Sequence, residues 1–308
     1  MNKVIQILLY FLLLLSITFA SLIHPENGAQ LNYTHVLFEW EQEENAASYN
    51  FQLSASESFN TDIIDIIDES LIYIDTNNLS WESTYYWRIR SNYIDGTYGN
   101  WSNAFSFSIG QTRSEAYATE HNLDHYSEGV TIFSSFFNYF SAVIDKNGNE
   151  IWNTGENDIV YYNTDLYGQL FGCYVNNDIE NYLPGIEFSL DSDFIWEEPN
   201  DEFLHHEIMQ LPNGNYMGLV EVAIDGPIPI GPWTSLYEIL GYEADGITNE
   251  FPWIGDKIVI WDKDTKNIIW EWNSFDYFDM TDYDNISDTW YVGSQNGRYA
   301  WTHANALY

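Results

Sequence analysis

Three histidines of this chain are the residues most suited to chemistry: His205 and His206, which are adjacent, and His303. An imidazole has a pKa near neutrality, so it can donate a hydrogen bond to an anion or transfer a proton at physiological pH. Histidines are therefore candidates for general acid–base catalysis or for binding an anionic group. We expect the rest of the chain to bring these side chains to one place.

The adjacent histidines precede a predicted β-hairpin. Residues 208–211 form its first strand, residues 212–215 form a turn around Asn213-Gly214, and residues 216–220 form the returning strand. Neighbouring strand residues point to opposite faces, so only one of His205 and His206 should face a pocket shared with His303. A metal site made of both histidines and Glu207 would require a bulge, and we expect no metal there.

The composition limits the possible partners. The 308 residues include 47 Asp and Glu but nine Lys and Arg, a formal net charge of −38. Such a surface repels nucleic acid and anionic membranes, so neither is an expected partner. The 45% hydrophobic and 18% aromatic content predicts a well-packed core that is rich in strands.

Residues 1–20 have the pattern of a cleaved secretory signal. Lys3 supplies the positive start, residues 4–15 an apolar core, and residues 18–20 a small-residue cleavage site. The apolar core is short for a membrane span, so we expect an exported protein without membrane insertion after cleavage. The lone Cys173 is expected to be a small core residue without a catalytic role.

Residues 22–110 predict a small β-sandwich, because short alternating runs are separated by turn residues. Trp40, the pair Leu79 and Tyr85, and Trp87 make the segment resemble the fibronectin type III family. The resemblance implies a spacer or docking module with its core around these residues and Tyr49. Residues 111–128, which carry His121 and His125, are expected to be a contact-poor, solvated connector.

A strand–turn–strand unit ending in tryptophan recurs from residue 129 onward, at Trp152, Trp196 and Trp270. A period of about 40–50 residues with several strands in each unit is typical of a β-propeller. We therefore predict an all-β chain, in which a sandwich is followed by about three blades of a propeller over residues 129–308. The propeller is expected to be incomplete at its C-terminus.

Two insertions interrupt this pattern. Residues 225–256 contain several prolines and are expected to be irregular. Residues 273–298 are rich in acidic side chains, and four of them could in principle hold calcium: Asp279, Asp282, Asp284 and Asp288. Their spacing does not fit an EF-hand loop, so we expect a solvated acidic loop and no cofactor.

Two motifs, residues 204–215 (LHHEIMQLPNGN) and residues 301–308 (WTHANALY), resemble the bacterial aryl-sulfate sulfotransferase family. The resemblance covers roughly residues 111–308 and implies a six-bladed propeller with histidines facing a central funnel. It also implies transfer of a sulfuryl group from an aryl sulfate to a phenolic acceptor without a nucleotide donor. His206, with His205 as the alternative, matches the first funnel histidine, and His303 matches the second.

The resemblance places a nucleophilic histidine and a sulfate-binding arginine after these motifs, so we expect both beyond residue 308 and expect residues 1–308 alone to be inactive in transfer. Arg113 and Arg298 are the nearest arginines, but neither lies in a matching motif. The alternative function is that of a non-catalytic secreted protein, which binds a ligand or glycan or acts in adhesion at the cell surface. The expected location is the same in both cases: periplasmic, secreted or at the cell surface.

Overall fold

The computed structural model describes residues 21–119, 122, 125, 128–178, 182–199 and 202–307. Within these residues the chain forms twenty β-strands and three short helices, so the predicted all-β class is confirmed. The predicted signal segment and His121 lie outside the described residues. Two compact units are formed, and residues 142–155 belong to the first unit while residues 132–141 and those from 156 onward belong to the second.

The first unit contains a sandwich of two antiparallel sheets. One sheet has the order β1-β3-β6 and the other the order β2-β8-β7-β4-β5, in which β2 and β8 run parallel. The strands are β1 (Leu22–His24), β2 (Ala29–Leu31), β3 (Val36–Trp40), β4 (Ala46–Ser54), β5 (Asp62–Asp68), β6 (Ile72–Asp75), β7 (Thr84–Tyr93) and β8 (Phe105–Ile109).

The predicted sandwich core is confirmed residue by residue. Trp40, Tyr49, Leu79, Tyr85 and Trp87 are all buried in one cluster between the two sheets. The hydroxyl of Tyr85 accepts a hydrogen bond from the backbone N–H of Ser80 at 2.9 Å, which is the tyrosine corner expected from the sequence. The fibronectin type III-like pattern in the sequence therefore corresponds to real packing.

The first unit extends beyond the predicted sandwich boundary. Strands β9 (Thr131–Ser135), β10 (Phe140–Ile144) and β11 (Glu150–Asn153) follow the sandwich, and the division between units falls within β9 and β10. Strand β11 forms hydrogen bonds with the backbone that follows β2. The N–H of Thr34 donates to the carbonyl of Ile151, and the N–H of Asn153 donates to the carbonyl of Asn32, both at 2.9 Å. Trp152, expected to end a blade, thus lies in the first unit.

The segment predicted as a contact-poor connector begins with well-defined contacts. The backbone N–H groups of Arg113 and Ser114 donate to the two carboxylate oxygens of Glu150 at 2.9 and 2.8 Å. The indole N–H of Trp81 donates to the backbone carbonyl of the same residue at 2.8 Å. Glu150 therefore holds residues 113–114 in place. The boundaries between the two compact units also differ from the predicted domain boundaries at residues 110 and 129.

The second unit contains two blade-like sheets of consecutive antiparallel strands. The first has the order β12-β13-β14-β15 and the second the order β16-β17-β18-β19, with a short β20 parallel to β18. The strands are β12 (Ile159–Thr164), β13 (Leu170–Tyr174), β14 (Gly185–Phe188), β15 (Phe194–Glu197), β16 (Phe203–Gln210), β17 (Tyr216–Pro227), β18 (Asn249–Trp261), β19 (Ile268–Asn273) and β20 (Tyr299–Ala300).

The two blade-like sheets share a buried cluster, in which β16 is the strand nearest to the first sheet. Trp196 stacks on Tyr216 with 3.9 Å between ring centroids and 9° between planes. Phe171, Leu204 and Ile208 are fully buried beside this pair. Cys173 is also fully buried, and burial raises the pKa of its thiol to about 12, so it is inert, as expected from the sequence.

The first insertion is not irregular throughout, and that expectation was wrong. β17 and β18 continue into residues 225–256, where Asp225 pairs with Pro252 and Gly226 with Phe251. Helix α1 (Thr234–Leu240) follows within the connecting loop. The extension is stable because its aromatic residues bury one another: Trp253 and Tyr237 contribute to a second core with no exposed surface of their own.

The second insertion folds against the same core instead of forming a solvated loop. It contains helices α2 (Ser274–Tyr277) and α3 (Ser287–Asn296), and Trp290 of α3 stacks on Tyr299 at 4.0 Å. Asp279 and Asp284 accept hydrogen bonds from the N–H groups of Thr281 and Ile286, so they stabilise turns. Among the described residues, no group of three or more His, Cys, Asp and Glu side chains could hold a metal.

Arginine side chains alternate with aromatic rings on one face of the sandwich. The guanidinium carbon of Arg88 lies 4.4 Å from the ring centroid of Trp101, and that of Arg90 lies 4.7 Å from it. Gln52 accepts two hydrogen bonds from Arg88, and Asn50 accepts one from Arg90. Trp101 therefore links two cations that would otherwise repel each other.

We expect Trp101→Ala to destabilise the protein, because it removes both cation–π contacts. The free energy of unfolding should fall by about 1–4 kcal/mol, from two contacts of about 0.5–2 kcal/mol each. Urea denaturation measures the loss, with Ile94→Ala as the control, since Ile94 is 76% exposed. Equal stability of the two variants would show that the stacked face contributes nothing.

Candidate functional site

The second unit brings the three predicted histidines together. The ring centroids of His205 and His206 lie 4.9 Å apart, those of His206 and His303 lie 5.0 Å apart, and those of His205 and His303 lie 5.7 Å apart. The first two histidines lie on β16, in the predicted hairpin with β17, whose turn contains Gly214 at φ +87°. The third lies in the segment that follows β20.

A β-bulge explains why both adjacent histidines reach the cluster. Leu204 pairs with Val220 and Ile208 pairs with Gly218, so three residues of β16 stand opposite one residue of β17. Within the bulge His206 has φ +64°, a left-handed backbone conformation that is uncommon for a residue other than glycine. The expectation that one of the two histidines would turn away was therefore wrong, because it assumed uninterrupted alternation.

The closest contact in the cluster joins His206 and His303. Their Nε2 atoms are 3.1 Å apart, and both side chains are exposed. At this distance one Nε2 carries a proton and donates it, and the other accepts. The neutral pair thus shares one proton at a solvent-accessible point, and uptake of a second proton would leave two N–H donors side by side.

Asp256 contacts His205 and the chain on either side of His303. Its carboxylate is 7% exposed, and its Oδ1 lies 3.3 Å from Nε2 of His205, at ion-pair distance but without an aligned hydrogen bond. Its Oδ2 accepts a hydrogen bond from the backbone N–H of Ala304 at 3.0 Å. Its own N–H donates to the hydroxyl of Thr302, also at 3.0 Å. One residue of β18 therefore contacts His205 and fixes both neighbours of His303.

These contacts also determine the charge of Asp256. Burial alone would raise the pKa of its carboxyl group, but the neighbouring His205, the Thr302 hydroxyl and the Ala304 N–H outweigh burial, and the pKa lies below its ordinary value. Asp256 is therefore ionised at neutral pH and offers His205 a negative charge.

Glu207 provides the second attachment of the same segment. Its Oε2 accepts a hydrogen bond from the backbone N–H of Leu307 at 2.6 Å, and its Oε1 accepts one from the amide of Asn163 at 3.2 Å. A metal site of His205, His206 and Glu207 would require a bulge, and that bulge is present. The Glu207 carboxylate, however, already accepts hydrogen bonds from the backbone of Leu307 and from Asn163 of β12. Its role is to position residues 302–307.

The environment of His206 makes it harder to protonate. Burial, then the nearby His205 and then His303 all lower its pKa below the ordinary value, and the opposing effect of Asp256 is smaller. At neutral pH His206 is therefore mainly neutral in the free protein. An anion between His206 and His303 would reverse this balance, because it would favour the imidazolium.

A cavity of about 500 Å³ opens beside His303 and is also lined by Arg298. The guanidinium of Arg298 is 56% exposed and lies 3.2 Å from Oε1 of Glu221. No sequence motif surrounds Arg298, but the structure places it in the lining of the same cavity as His303, one of the predicted site residues. Arg113, the other arginine considered, lies in the first unit.

The sequence held little sign of the residues that position the cluster. Asp256 lies within a mostly apolar run, Trp253 to Trp261, where Asp256 and the adjacent Lys257 are the two charged residues. A charged residue in a strand that is otherwise buried has to be paired, and this rule could have singled it out.

Comparisons with known proteins identify no family. No protein-family model matches the sequence, and no curated protein sequence matches it. Among solved structures, an Fn3-like protein from Clostridium thermocellum is similar at 19% identity and a TM-score of 0.25, over 32% of this chain and 97% of that chain.

Two glycosidases are also similar in structure. A β-1,2-glucanase from Parabacteroides distasonis has 15% identity and a TM-score of 0.24, over 31% of this chain and 13% of that chain. An α-L-rhamnosidase from Dictyoglumus thermophilum has 10% identity and a TM-score of 0.27, over 83% of this chain and 29% of that chain. The chain thus spans less than a third of either glycosidase. At these levels of similarity, function has to be argued from the site itself.

Replacing His303 by asparagine should raise the pKa of His206, because a like charge and part of the burial are removed together. Titration of the histidine Cε1–H signals by NMR measures the pKa directly. In the parent protein the folded pKa of His206 lies below the unfolded one, so the unfolded chain binds the proton first as the pH falls. This group therefore lowers stability below about pH 6.5, and the variant should lose part of that dependence.

Replacing Asp256 by asparagine should loosen the cluster while nearly preserving side-chain volume. The variant loses the negative charge beside His205 and one oxygen acceptor, and we expect the free energy of unfolding to fall by about 1–3 kcal/mol. Asp245→Asn is the matched control, because Asp245 accepts backbone hydrogen bonds at an exposed turn. If both variants lost the same stability, Asp256 would be an ordinary turn-stabilising residue.

Proposed function

We propose that this protein acts in sulfuryl transfer from an aryl sulfate to a phenolic acceptor, with His206 and His303 as the groups that touch the sulfate ester. The observation that carries the proposal is the 3.1 Å separation of their Nε2 atoms at an exposed point beside a cavity. Two imidazole nitrogens so placed can both donate to the oxygen atoms of one tetrahedral anion.

The protonation state of the His206–His303 pair suits an anionic ligand. The neutral pair shares one proton between its Nε2 atoms, so both nitrogens can donate to a bound anion after the accepting ring changes tautomer or takes up a second proton. The anion favours that uptake, because its charge stabilises an imidazolium. Binding of a sulfate ester is therefore expected to be linked to protonation of His206, whose pKa is lowered in the free protein.

The same proton serves the chemical step. In sulfuryl transfer the oxygen of the acceptor phenol becomes bonded to sulfur, the bond between sulfur and the aryl oxygen of the donor breaks, and the electron pair of that bond remains on the donor oxygen. An imidazolium within reach donates its proton to the departing phenolate, which leaves as a phenol, and the resulting neutral imidazole accepts the proton of the acceptor hydroxyl. The proposal gives His206 and His303 these binding and proton-transfer roles and makes neither of them the sulfated nucleophile.

The surrounding charges explain why a local cationic group is needed. The chain carries a formal net charge of −38, which opposes the approach of an anionic ester. Arg298 lies in the cavity beside His303 but is paired with Glu221, so a protonated His206 is the group that supplies positive charge where the ester would be bound. His205, held beside Asp256, supports the other two rings and is the less exposed member of the cluster.

Binding and transfer are both measurable. Titration calorimetry with 4-nitrophenyl sulfate, in buffers of different ionisation enthalpy at pH 6 and pH 8, should show proton uptake and tighter binding at the lower pH. Release of 4-nitrophenol, with and without an added phenol and with no nucleotide present, measures transfer. In the full-length protein, His206→Ala and His303→Ala should each lower transfer by a factor on the order of a hundred.

The matched control is His35→Ala, which removes an exposed histidine of the first unit. Its binding and transfer should equal those of the parent protein. Unchanged binding of the ester in both cluster variants would mean that the histidines are structural. Binding without any transfer, even with acceptor present, would favour the alternative of a secreted protein that binds its ligand and performs no chemistry.

A further inference from the structure

A second cavity adjoins His303, and its lining differs from that of the first. Its volume is about 320 Å³, and it contains the side chains of Trp272, Phe278, Leu219 and Ile258 together with Asp256 and His303. Both linings are mostly apolar, but the first includes a guanidinium and two carboxylates, whereas the second includes two aromatic rings and one carboxylate. His303 therefore lines both cavities, and the second is the one with an aromatic wall.

The aromatic wall of the second cavity comes from the edge strand β19 and the turn after α2. Phe278 is 52% exposed, and its ring lies 5.8 Å from that of Trp272 at an angle of 75°. Leu219, which is fully buried, belongs to β17. An exposed phenylalanine at the rim of an apolar cavity leaves surface in water that a flat apolar ligand would cover.

The polar groups in this cavity already have partners. The Asp256 carboxylate receives the Ala304 N–H and lies beside His205, and the Ser274 hydroxyl accepts the N–H of Asp256 at 3.1 Å. Asp256 and Ser274 therefore need no charged ligand to complete their hydrogen bonds. The group that fits this compartment is an uncharged ring.

We infer that this cavity is the subsite for the aromatic ring of the ester, with the ring against Trp272 and Phe278 and its sulfate at His206 and His303. The inference rests on the proposed function, and it specifies the substrate class. A volume of about 320 Å³ lies at the small end of ligand sites, which span about 300–1,000 Å³, and is enough for a benzene ring or for two fused rings. A carboxylate on the ring should weaken binding, because the wall of the cavity is aromatic and aliphatic.

Two probes separate the subsite from the sulfate site. Methyl sulfate carries the anion without a ring, and 4-nitrophenyl sulfate carries both. Phe278→Ala should weaken binding of 4-nitrophenyl sulfate about tenfold, since an aromatic pair and its buried area together contribute on the order of 1.4 kcal/mol. The same variant should bind methyl sulfate as the parent does. Phe137→Ala, which removes a 97% exposed ring outside this cavity, is the matched control.

Phe278→Leu guards against a folding defect, because it keeps an apolar side chain and should give an intermediate loss for the aromatic ester. The subsite is wrong if Phe278→Ala leaves the affinity for 4-nitrophenyl sulfate unchanged, or weakens methyl sulfate equally. If in addition His206→Ala abolishes methyl sulfate binding, the proposed function survives without this subsite. If Phe278→Ala weakens the aromatic ester while His206→Ala does not affect either probe, the ring subsite stands and the histidine function fails.

Discussion

The candidate site depends on one buried carboxylate. Asp256 projects from the long strand β18, lies 3.3 Å from His205, and accepts the backbone N–H of Ala304. Removing a charge of this kind from water is unfavourable unless it is paired, and here the pairing uses the groups that the site needs in place. The penalty of burying Asp256 is thus offset by an arrangement that holds one histidine directly and a second through its neighbour in the chain.

The bulge in β16 is the complementary constraint. Regular pairing would leave only one of two adjacent histidines on the site's face, whereas the bulge, in which three residues of β16 stand opposite one of β17, turns both toward His303. The left-handed conformation of His206 is unfavourable by itself, so the surrounding sheet must stabilise it. Uninterrupted pairing of β17 with β18 over eleven positions, from Tyr216 to Gly226, supplies a rigid support directly behind the bulge.

The sequence was sufficient where a local pattern determines a local structure. Asn213-Gly214 predicted the hairpin, and the spacing of Trp40, Leu79 and Tyr85 predicted the sandwich core. It was insufficient where hydrogen-bond register decides the outcome, because register depends on both partners of a strand pair. The bulge at His206, the continuation of β17 to Pro227, and the docking of β11 in the first unit are all of this kind.

Two of the three imidazoles belong to a strand, but the third lies on a stretch without regular structure. Residues 302–307 are held at the site by the Thr302 and Ala304 contacts to Asp256 and by the Leu307 contact to Glu207. Breaking these hydrogen bonds, together with the bond from the Thr302 N–H to the Ile254 carbonyl and the contact of His206 with His303, would release His303 while every strand pair of the sheet remained intact. The site therefore has its own local unfolding equilibrium, separate from global unfolding, and its free energy sets the fraction of molecules in which the cluster is complete. A ligand that contacts His303 stabilises the closed form in proportion to its concentration, so amide hydrogen exchange in this stretch would report site occupancy without any readout of catalysis.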